Sequence, residues 1–448
     1  MKAKKKEFPT TWRRVQLAEV CDIILGQSPP GSTYNSEGIG LPFFQGKAEF
    51  GNYYPTPVKW CSAPAKIAEH EDVLISVRAP VGPTNLCPSR ACIGRGLAAI
   101  RTRQGMPSRY LLYALRATVG ALVEKSTGST FDAINGSDLR SHVIPLPPLD
   151  EQQRIVAEIE KQFTRLEAGM AALKRVQTNL KRYRAAVLKT ACEGRLVPTE
   201  ADLARQEGRT YETGDQLLAR ILTERRRKRQ SRGKYKEPAA PDTANLPPLP
   251  EGWTWATVAQ IGETTTGFTP PKQNAEFFGG DIPFFKPTDL DAGYYVQKFR
   301  DSLTEAGAKQ GRVLPARSIL VTCIGATIGK TGFSRTRCAT NQQINALTVS
   351  SDYLSPEFVF WFFTSPLGQR QITENASATT LPILNKSRFE VLSIPIPPLA
   401  EQKRIVADVE RRLSVVEEQE AVVSANIQRA DRLRQSILQQ AFSGRFSF

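Results

Sequence analysis

Apolar positions along this chain follow two alternating patterns. In residues 1–148 and 246–398 they form short runs set off by Gly, Pro, Asn and Ser, among them DVLISV (72–77), GLAAI (96–100), SILVTCI (318–324) and INALTV (344–349). Runs of that length between turn residues predict strands. Two longer segments, 107–124 and 356–370, predict one helix each. The pattern then changes period. Ile155, Ile159, Phe163, Leu166, Met170, Leu173, Val176, Leu180, Tyr183 and Val187 recur in steps of three and four. A second stripe runs through Ile405, Val409, Leu413, Val416, Val423, Ile427, Leu433 and Ile437, interrupted by Glu420 and Asn426. Each stripe predicts a helix of roughly 65 Å at about 1.5 Å per residue. Pro147-Pro148 and Pro397-Pro398 end the preceding strands, and Asp150, with Gln153 three positions on, is expected to cap the first long helix. Ala400 leaves the second with a weaker cap.

These segments are one module written twice. Residues 144–163 read IPLPPLDEQQRIVAEIEKQF and residues 394–413 read IPIPPLAEQKRIVADVERRL. The offset of 250 persists down the helices, where Arg182, Leu188, Ala191, Gly194 and Arg195 recur as Arg432, Leu438, Ala441, Gly444 and Arg445. Upstream the offset is 241: Pro9 and Trp12 answer Pro250 and Trp253, LPFFQG answers IPFFKP, and Tyr53-Tyr54 answers Tyr294-Tyr295. A period this long is a duplicated domain rather than a solenoid unit. The chain therefore divides into a globule (1–148), a helix (149–197), a connector (198–245), a second globule (246–398) and a second helix (399–448). The expected fold class is α+β, with two mixed α/β globules and two long helices. Each stripe needs a partner, and antiparallel pairing sends the globules to opposite ends of a pseudo-two-fold coiled coil. An internal two-fold suits duplex DNA. In the connector, 216–230 predicts a helix with a basic run at 225–229, and 233–250 an extended Pro-rich linker.

Charge sharpens this picture. Of 448 residues, 60 are Lys or Arg and 44 Asp or Glu, a net of +16, which favours a polyanionic partner. The excess is uneven. Residues 1–197 hold 28 basic and 17 acidic side chains, whereas 246–398 hold 13 and 12. If the second globule contacts DNA, it does so through locally placed groups. Seven cysteines, without a Cys-x-x-Cys pair and with only His70 and His142, make a zinc site unexpected and imply buried, reduced thiols in a cytoplasmic protein. No apolar run spans a membrane.

Candidate chemistry is sparse. GATIGKT (325–331) is one residue short of a phosphate-binding loop and is expected to be a turn between strands. No zinc cluster, nucleophile elbow or methyltransferase Asn-Pro-Pro-aromatic string occurs, so no catalytic and no metal-binding residues are assigned, and no cofactor is expected on this chain.

The paired IPLPPLDEQQRIVAEIE and IPIPPLAEQKRIVADVE strings, the helix ends RYRAAVLKTACEGRL and RLRQSILQQAFSGRF, the openings PTTW and PEGW and the LLARILTERRRKR connector resemble the specificity subunit of type I restriction–modification systems. The resemblance covers nearly the whole chain. It implies two target-recognition domains that each read half of a bipartite, asymmetric DNA site. It implies a coiled coil that sets the gap and docks two methyltransferase subunits using S-adenosylmethionine on adenine. Restriction subunits that hydrolyse ATP, with Mg, complete the complex. The coiled-coil core would be Ile155, Ile159, Phe163, Leu166, Leu173 and Leu180 with Ile405, Val409, Leu413, Val416, Val423 and Ile427.

Loops that differ between the copies nominate DNA contacts, since Arg, Asn and Gln read bases while Lys, Ser and Thr hold phosphates. In the first globule these are Gln45, Lys47, Arg78, Arg90, Arg95, Lys125, Ser126, Thr127, Ser129, Thr130 and Asn135. In the second they are Lys286, Thr288, Lys330, Arg335, Arg337, Asn341, Gln342, Gln343, Thr379, Thr380, Asn385 and Lys386. Arg78 and the Arg90/Arg95 stretch are taken to correspond to Lys330 and the Arg335–Gln343 stretch. Phe43, Phe44, Tyr53 and Tyr54 are expected in the core. Two rival readings stay open: a DNA-binding protein without methyltransferase partners, and a coiled-coil adaptor whose globules bind proteins.

Overall fold

A computed structural model of the chain describes residues 10–125, 133–230, 236–292, 294–377 and 381–444. It divides into two compact units, one made of Met1–Arg175 with Val423–Phe448, the other of Val176–Val422. In the first unit the central sheet has the order Cys21–Leu25, Leu97–Thr102, Val73–Ser76, Thr84–Leu86, all antiparallel. The second unit repeats it as Gly262–Thr266, Ile344–Val349, Ile319–Thr322, Thr331–Ser334 and adds Tyr295–Val296 at the edge. Val73–Ser76 and Ile319–Thr322 are buried at every position, as continuous apolar runs require when both sheet faces are covered. A second sheet flanks each, carrying Leu41–Phe44 in one unit and Phe278–Phe285 in the other. Phe43, Phe44, Phe284 and Phe285 are core residues, whereas Tyr53 is half-buried and Tyr54 is exposed.

The expected helix at 107–124 is Ser108–Lys125. Its counterpart is not one helix but two, Pro356–Thr364 and Pro366–Asn375. Pro366 cannot donate the backbone bond that would continue the first, and the Ser365 hydroxyl caps the second by accepting from the Gly368 amide. The connector holds the expected helix, Gly214–Gln230, and an unforeseen one, Glu200–Glu207, capped by Thr199. All seven cysteines are buried and unpaired, and burial pushes the thiols of Cys21, Cys87, Cys192 and Cys338 up to about 12. Among the described residues no helix is long and apolar enough to cross a membrane.

Each long helix, Leu149–Cys192 and Leu399–Phe442, starts directly after the paired prolines. Asp150 is not the cap; it lies in the first turn and accepts from Arg154 at 2.8 Å. The start is fixed instead by the repeated Glu-Gln pair. Gln152 and Gln402 donate from Nε2 to the carbonyls of Pro147 and Pro397, at 2.9 and 2.8 Å. Glu151 and Glu401 accept from the indoles of Trp12 and Trp253, at 2.9 and 3.0 Å. The two openings and the two helix motifs, read separately in the sequence, are thus the halves of one contact. The strand after each Trp, Arg13–Gln16 or Thr254–Thr257, pairs with the strand that leads into the helix, Val143–Leu146 or Ser393–Ile396.

Within each unit the two long helices run antiparallel. In the first, Glu167 receives Arg434 at 2.5 Å, and Phe163 packs with Ile437, Leu438 and Ala441. In the second, Glu417 receives Arg184 at 3.2 Å, and Leu413 packs with Val187, Leu188 and Ala191. Glu167 and Glu417 stand 250 residues apart, as do Arg184 and Arg434, so both units use the same register. The seam keeps a heptad spacing of buried and half-buried positions: Phe163, Leu166, Met170, Leu173, Gln177, Leu180, Arg184 and Val187 on one helix, and Val409, Leu413, Val416, Glu420, Val423, Ile427, Ala430, Arg434 and Ile437 on the other. Val176, Tyr183 and Leu433, read as stripe positions, are exposed at 43%, 44% and 47%, and Asn426 also faces solvent. Glu420 is in the seam, 3.9 Å from Arg184. Ile155, Ile159, Ile405 and Val409 are fully buried, but they pack into the globule cores as well as along the helices. Each contributes about 1.5–3 kcal/mol by burial.

This register predicts a charge-swap result. Arg184→Glu and Glu417→Arg should each lower stability by about 1 kcal/mol, the scale of exposed pairs, and the double variant should recover most of it. Thermal melts of the four proteins read this directly. Equal losses that add in the double variant would reject the pairing.

Candidate nucleic-acid interface

Within each unit the loops that carry Gln45, Arg78 and Arg95, or Lys286 and Gln342, meet in one platform at one end of the central sheet, whereas Arg90, Arg335 and Arg337 lie at its other end, beside the starts of Val73–Ser76 and Ile319–Thr322. Six backbone hydrogen bonds assemble the platform in the first unit. Gly26 donates to the Leu97 carbonyl (2.9 Å), Gln27 to Ile93 (3.0 Å), Gly94 to Phe44 (2.8 Å), Leu97 to Gly94 (2.9 Å), Val77 to Gly96 (3.0 Å) and Ile134 to Val77 (3.0 Å). The second unit repeats them one for one. Gly267 donates to Ile344 (3.0 Å), Phe268 to Thr340 (2.8 Å), Asn341 to Phe285 (3.2 Å), Ile344 to Asn341 (3.1 Å), Cys323 to Gln343 (2.7 Å) and Leu384 to Cys323 (2.8 Å). Bridges Arg78–Ala133 and Ile324–Ile383 close each platform.

Glycine recurs where two backbones touch. A Cβ on Gly26 would stand 2.2 Å from the Gly94 carbonyl oxygen, and one on Gly267 would stand 2.2 Å from that of Asn341. The recurrence of Gly at the same place in both copies was the sequence signal for this closure.

On this shared frame the side chains differ. Gly94-Arg95-Gly96 in the first unit occupies the place of Asn341-Gln342-Gln343 in the second, and Gln45 and Lys47 occupy those of Lys286 and Thr288. The frame also corrects the expected correspondence of Arg78 with Lys330. Arg78 shares its place with Ile324, whereas Lys330, whose carbonyl receives the Thr322 amide, shares its place with Pro83, whose carbonyl receives the Ser76 amide. Hairpins of unequal length hid this alignment in the sequence. GATIGKT is the connection between antiparallel strands Ile319–Thr322 and Thr331–Ser334, which explains the missing helix after it.

The candidates fall into three groups. Lys47, Arg78 and Arg95 are exposed, with Arg95 fixed through its amide, which donates to Ser28 Oγ at 3.3 Å. Thr288 and Gln342 are exposed in the second unit, with Gln342 Oε1 accepting from Thr269 at 2.6 Å. A second group is engaged within the protein. Arg90 lies 3.5 Å from Glu69, Lys286 2.5 Å from Asp301, and Lys386 3.6 Å from Glu390; Arg337 pairs with Glu305, and Arg335 lies over the Tyr295 ring. Asn341 is buried and donates to Gln343 at 2.9 Å, holding the loop rather than facing outward. Gln45 and Lys330 are half-buried, and Asn135 and Asn385 cap short helices, accepting from the Asp138 and Arg388 amides. The third group, Ser126, Thr127, Ser129, Thr130, Thr379, Thr380 and the Lys125 side chain, lies outside the described residues.

Among the described residues no three His, Cys, Asp or Glu side chains gather closely enough to hold a metal. His142 is engaged by Thr118 at 2.8 Å and His70 by the Pro88 carbonyl at 2.9 Å.

Comparison with known proteins agrees with the duplicated geometry. The family model for the type I restriction modification DNA specificity domain matches twice, over residues 9–174 and 250–417. The chain is 46% identical over 157 residues to the putative type I restriction enzyme MjaX specificity subunit of Methanocaldococcus jannaschii, covering 34% of this chain and 37% of that protein. It is 34% identical over 174 residues to the HindI specificity subunit of Haemophilus influenzae, covering 37% of each. These two alignments thus span little more than a third of either relative. The EcoBI specificity subunit of Escherichia coli is 23% identical over 451 residues, covering 97% of this chain and 86% of that one. Two solved structures share the fold at 20% identity. One, from work on assembly and conformational transition of the type I R-M system, has a TM-score of 0.72 over 98% of this chain and all of that one. The other, the HsdS subunit of Thermoanaerobacter tengcongensis, has a TM-score of 0.52 over the whole of both chains.

The platform predicts that Gly26→Ala and Gly267→Ala each cost about 1–3 kcal/mol, the scale of overpacking, whereas Gly31→Ala, with open space around it, leaves the melting temperature unchanged. Equal melting temperatures for all three would remove the close approach as the reason for these glycines. With a matched domain in each half, a shared fold and one backbone frame built twice, the chain belongs to the type I restriction–modification DNA-specificity family.

Proposed function

We propose that this chain is the DNA-specificity subunit of a type I restriction–modification complex, non-catalytic by itself, and that each unit reads one half of a bipartite, asymmetric site. The observation that carries this reading is the six-bond frame, identical in the two units and furnished with different side chains. A common frame orients both platforms toward the same kind of ligand, and different side chains demand different sequences. The first platform presents Lys47, Arg78 and Arg95, and guanidinium groups suit phosphates and guanine edges. The second presents Gln342 and Thr288, whose neutral donors and acceptors suit base edges, adenine above all for the amide. The first grip is therefore more electrostatic than the second.

The long helices set the distance between half-sites and offer the exposed faces on which two methyltransferase subunits assemble. S-adenosylmethionine, ATP and Mg belong to the methyltransferase and restriction partners.

Deleting the gene should remove one gapped methyladenine motif from the host methylation map. Exchanging residues 1–148 for another such domain should change one half of that motif and keep the other. If both halves changed together, the division of labour would be wrong. Arg95→Ala should weaken DNA binding by about tenfold and reduce the slope of log affinity against log salt by about 1 if it contacts a phosphate. If it contacts guanine, specificity at one position relaxes by about 1–3 kcal/mol instead. Unchanged affinity and unchanged specificity would exclude Arg95 from the interface.

A further inference from the structure

Beside the platform of the first unit lies a cavity of about 630 Å³ whose polar lining is Lys47, Asn52, Thr84, Arg116, Arg434 and Gln435. Among the described residues its walls hold three cations and no carboxylate, and the rest of the lining is apolar or glycine. The second unit has a cavity of similar size, about 670 Å³, lined by Arg225, Lys236, Arg312 and Lys386, but there Glu237, Glu263 and Glu390 share the walls. The charges of that cavity nearly cancel, whereas those of the first unit add.

Arg116 is the half-buried centre of this site. Its Nε donates to Thr84 Oγ1, and its Nη2 donates to the Asn52 and Thr84 carbonyls, each at 3.1 Å. These acceptors take three of the five guanidinium donors but neutralise no charge, and Nη1 has no hydrogen-bond partner among the described residues. Burial first, and the Arg434 charge after it, hold the guanidinium below the usual arginine range. A cation drawn partly out of water stays costly until an anion joins it. Arg434 reaches the cavity from the second long helix, lying 4.8 Å over the Phe163 ring with Nη2 on Glu167 at 2.5 Å. Two loops of the platform complete the walls. Lys47 follows Gln45, whose carbonyl oxygen would stand 2.3 Å from a Cβ on Gly96, and the hairpin that carries Arg78 returns through Val81, Gly82 and Pro83. Lys47 and Gln435 are exposed at the mouth.

We propose that this cavity is an anion site that takes one backbone phosphate of the DNA bound by the first unit, held between Arg116 and Arg434 with Lys47 at the mouth. Resting on the DNA-reading role proposed above, the site adds a contact made by a long helix to those made by the globule. Phosphate suits it because guanidinium groups offer paired N–H donors to the oxygens of one phosphate. The phosphate is that of a duplex, rather than a free anion or an acidic protein segment, because Lys47 and the Arg78 hairpin belong to platform and cavity alike. A duplex lying on the platform therefore passes the mouth. Arg116 and Arg434 act as positioning residues, since a phosphate contact fixes the duplex without reading a base.

The full-length chain is titrated with a duplex carrying the gapped motif of the methylation map, in which one backbone phosphate at a time is replaced by a neutral methylphosphonate. Expected is one position, beside the half-site read by the first unit, where the replacement weakens binding to the parent chain about tenfold and binding to Arg434→Gln less than about twofold. Arg434→Lys, which keeps the charge, should stay sensitive at that position. Arg116 also fastens the Asn52 loop, so Arg434→Gln carries the test without disturbing that tie. The Arg116→Gln, Arg434→Gln double variant should lose about 0.9 from the slope of log affinity against log salt, the share of one phosphate. A loss of about 1.8 would give the arginines separate phosphates and overturn the shared site. A methylphosphonate profile identical in parent and Arg434→Gln overturns the proposal and leaves the DNA-reading role standing, whereas a parent chain that binds no DNA overturns both. Saturable binding of inorganic phosphate that is lost in Arg116→Gln and indifferent to added duplex would assign the cavity to a free anion and likewise overturn it.

Discussion

An indole N–H donated to a glutamate at the root of a long helix is the contact on which each unit depends. Trp12 and Trp253 directly precede the opening strand of their globules, and Glu151 and Glu401 lie in the first turn of the helices. The following Gln closes the turn onto the preceding proline carbonyl. The helix start is thereby joined to both terminal strands of the globule, so the helix moves with its domain. Around Glu401 the contact is deeply buried; burial pushes its carboxyl up, against the Glu200 amide, the Trp253 indole and Arg404, which favour the charged form. Losing one member of such a buried set costs more than any exposed pair, because the remaining polar groups stay desolvated.

A helix anchored in this way transmits geometry. The same helix position, Glu160 or Glu410, makes a second tie to the globule, to Arg109 in one unit and Tyr294 in the other. Across the seam the Glu167–Arg434 and Arg184–Glu417 pairs repeat one register. These pairs flank the apolar seam and are partly exposed, so each contributes little alone, but a shifted register would forfeit both together. A defined register is what the proposed role, holding two half-sites at a fixed gap, requires. The two loop platforms follow the same logic: backbone hydrogen bonds hold the frame, and side chains diverge upon it.

Much of this was legible from residue pattern because it depends on local period and on repetition. The long helices, the strands flanked by turn residues, the connector helix and the turn nature of GATIGKT all follow from spacing. The misreadings share a different cause. Asp150 has the right spacing for a cap, but the paired prolines and the Gln side chains begin the helix earlier. Val176 and Tyr183 continue the apolar count, but the seam follows the heptad set by the partner helix, which prefers Gln177 and Arg184. Arg78 and Lys330 looked equivalent because both are cations in similar hairpins, yet the ladder aligns them with Ile324 and Pro83. Of the candidate DNA contacts, those now engaged by Glu69, Asp301 or Glu305 could not be recognised in advance, because their partners are distant in sequence, whereas Lys386 and Glu390 are four residues apart on one short helix.

By itself, then, the sequence determined that the protein is a duplicated α+β module on two long amphipathic helices, basic in its first half and without a catalytic constellation. Those properties are set by composition, period and repeat, which are local or additive along the chain. The tertiary structure alone decided which cations are exposed, which helix faces meet, and which cations a distant carboxylate already engages. Such differences depend on side chains brought together from positions far apart in the chain, and neither period nor composition records that proximity.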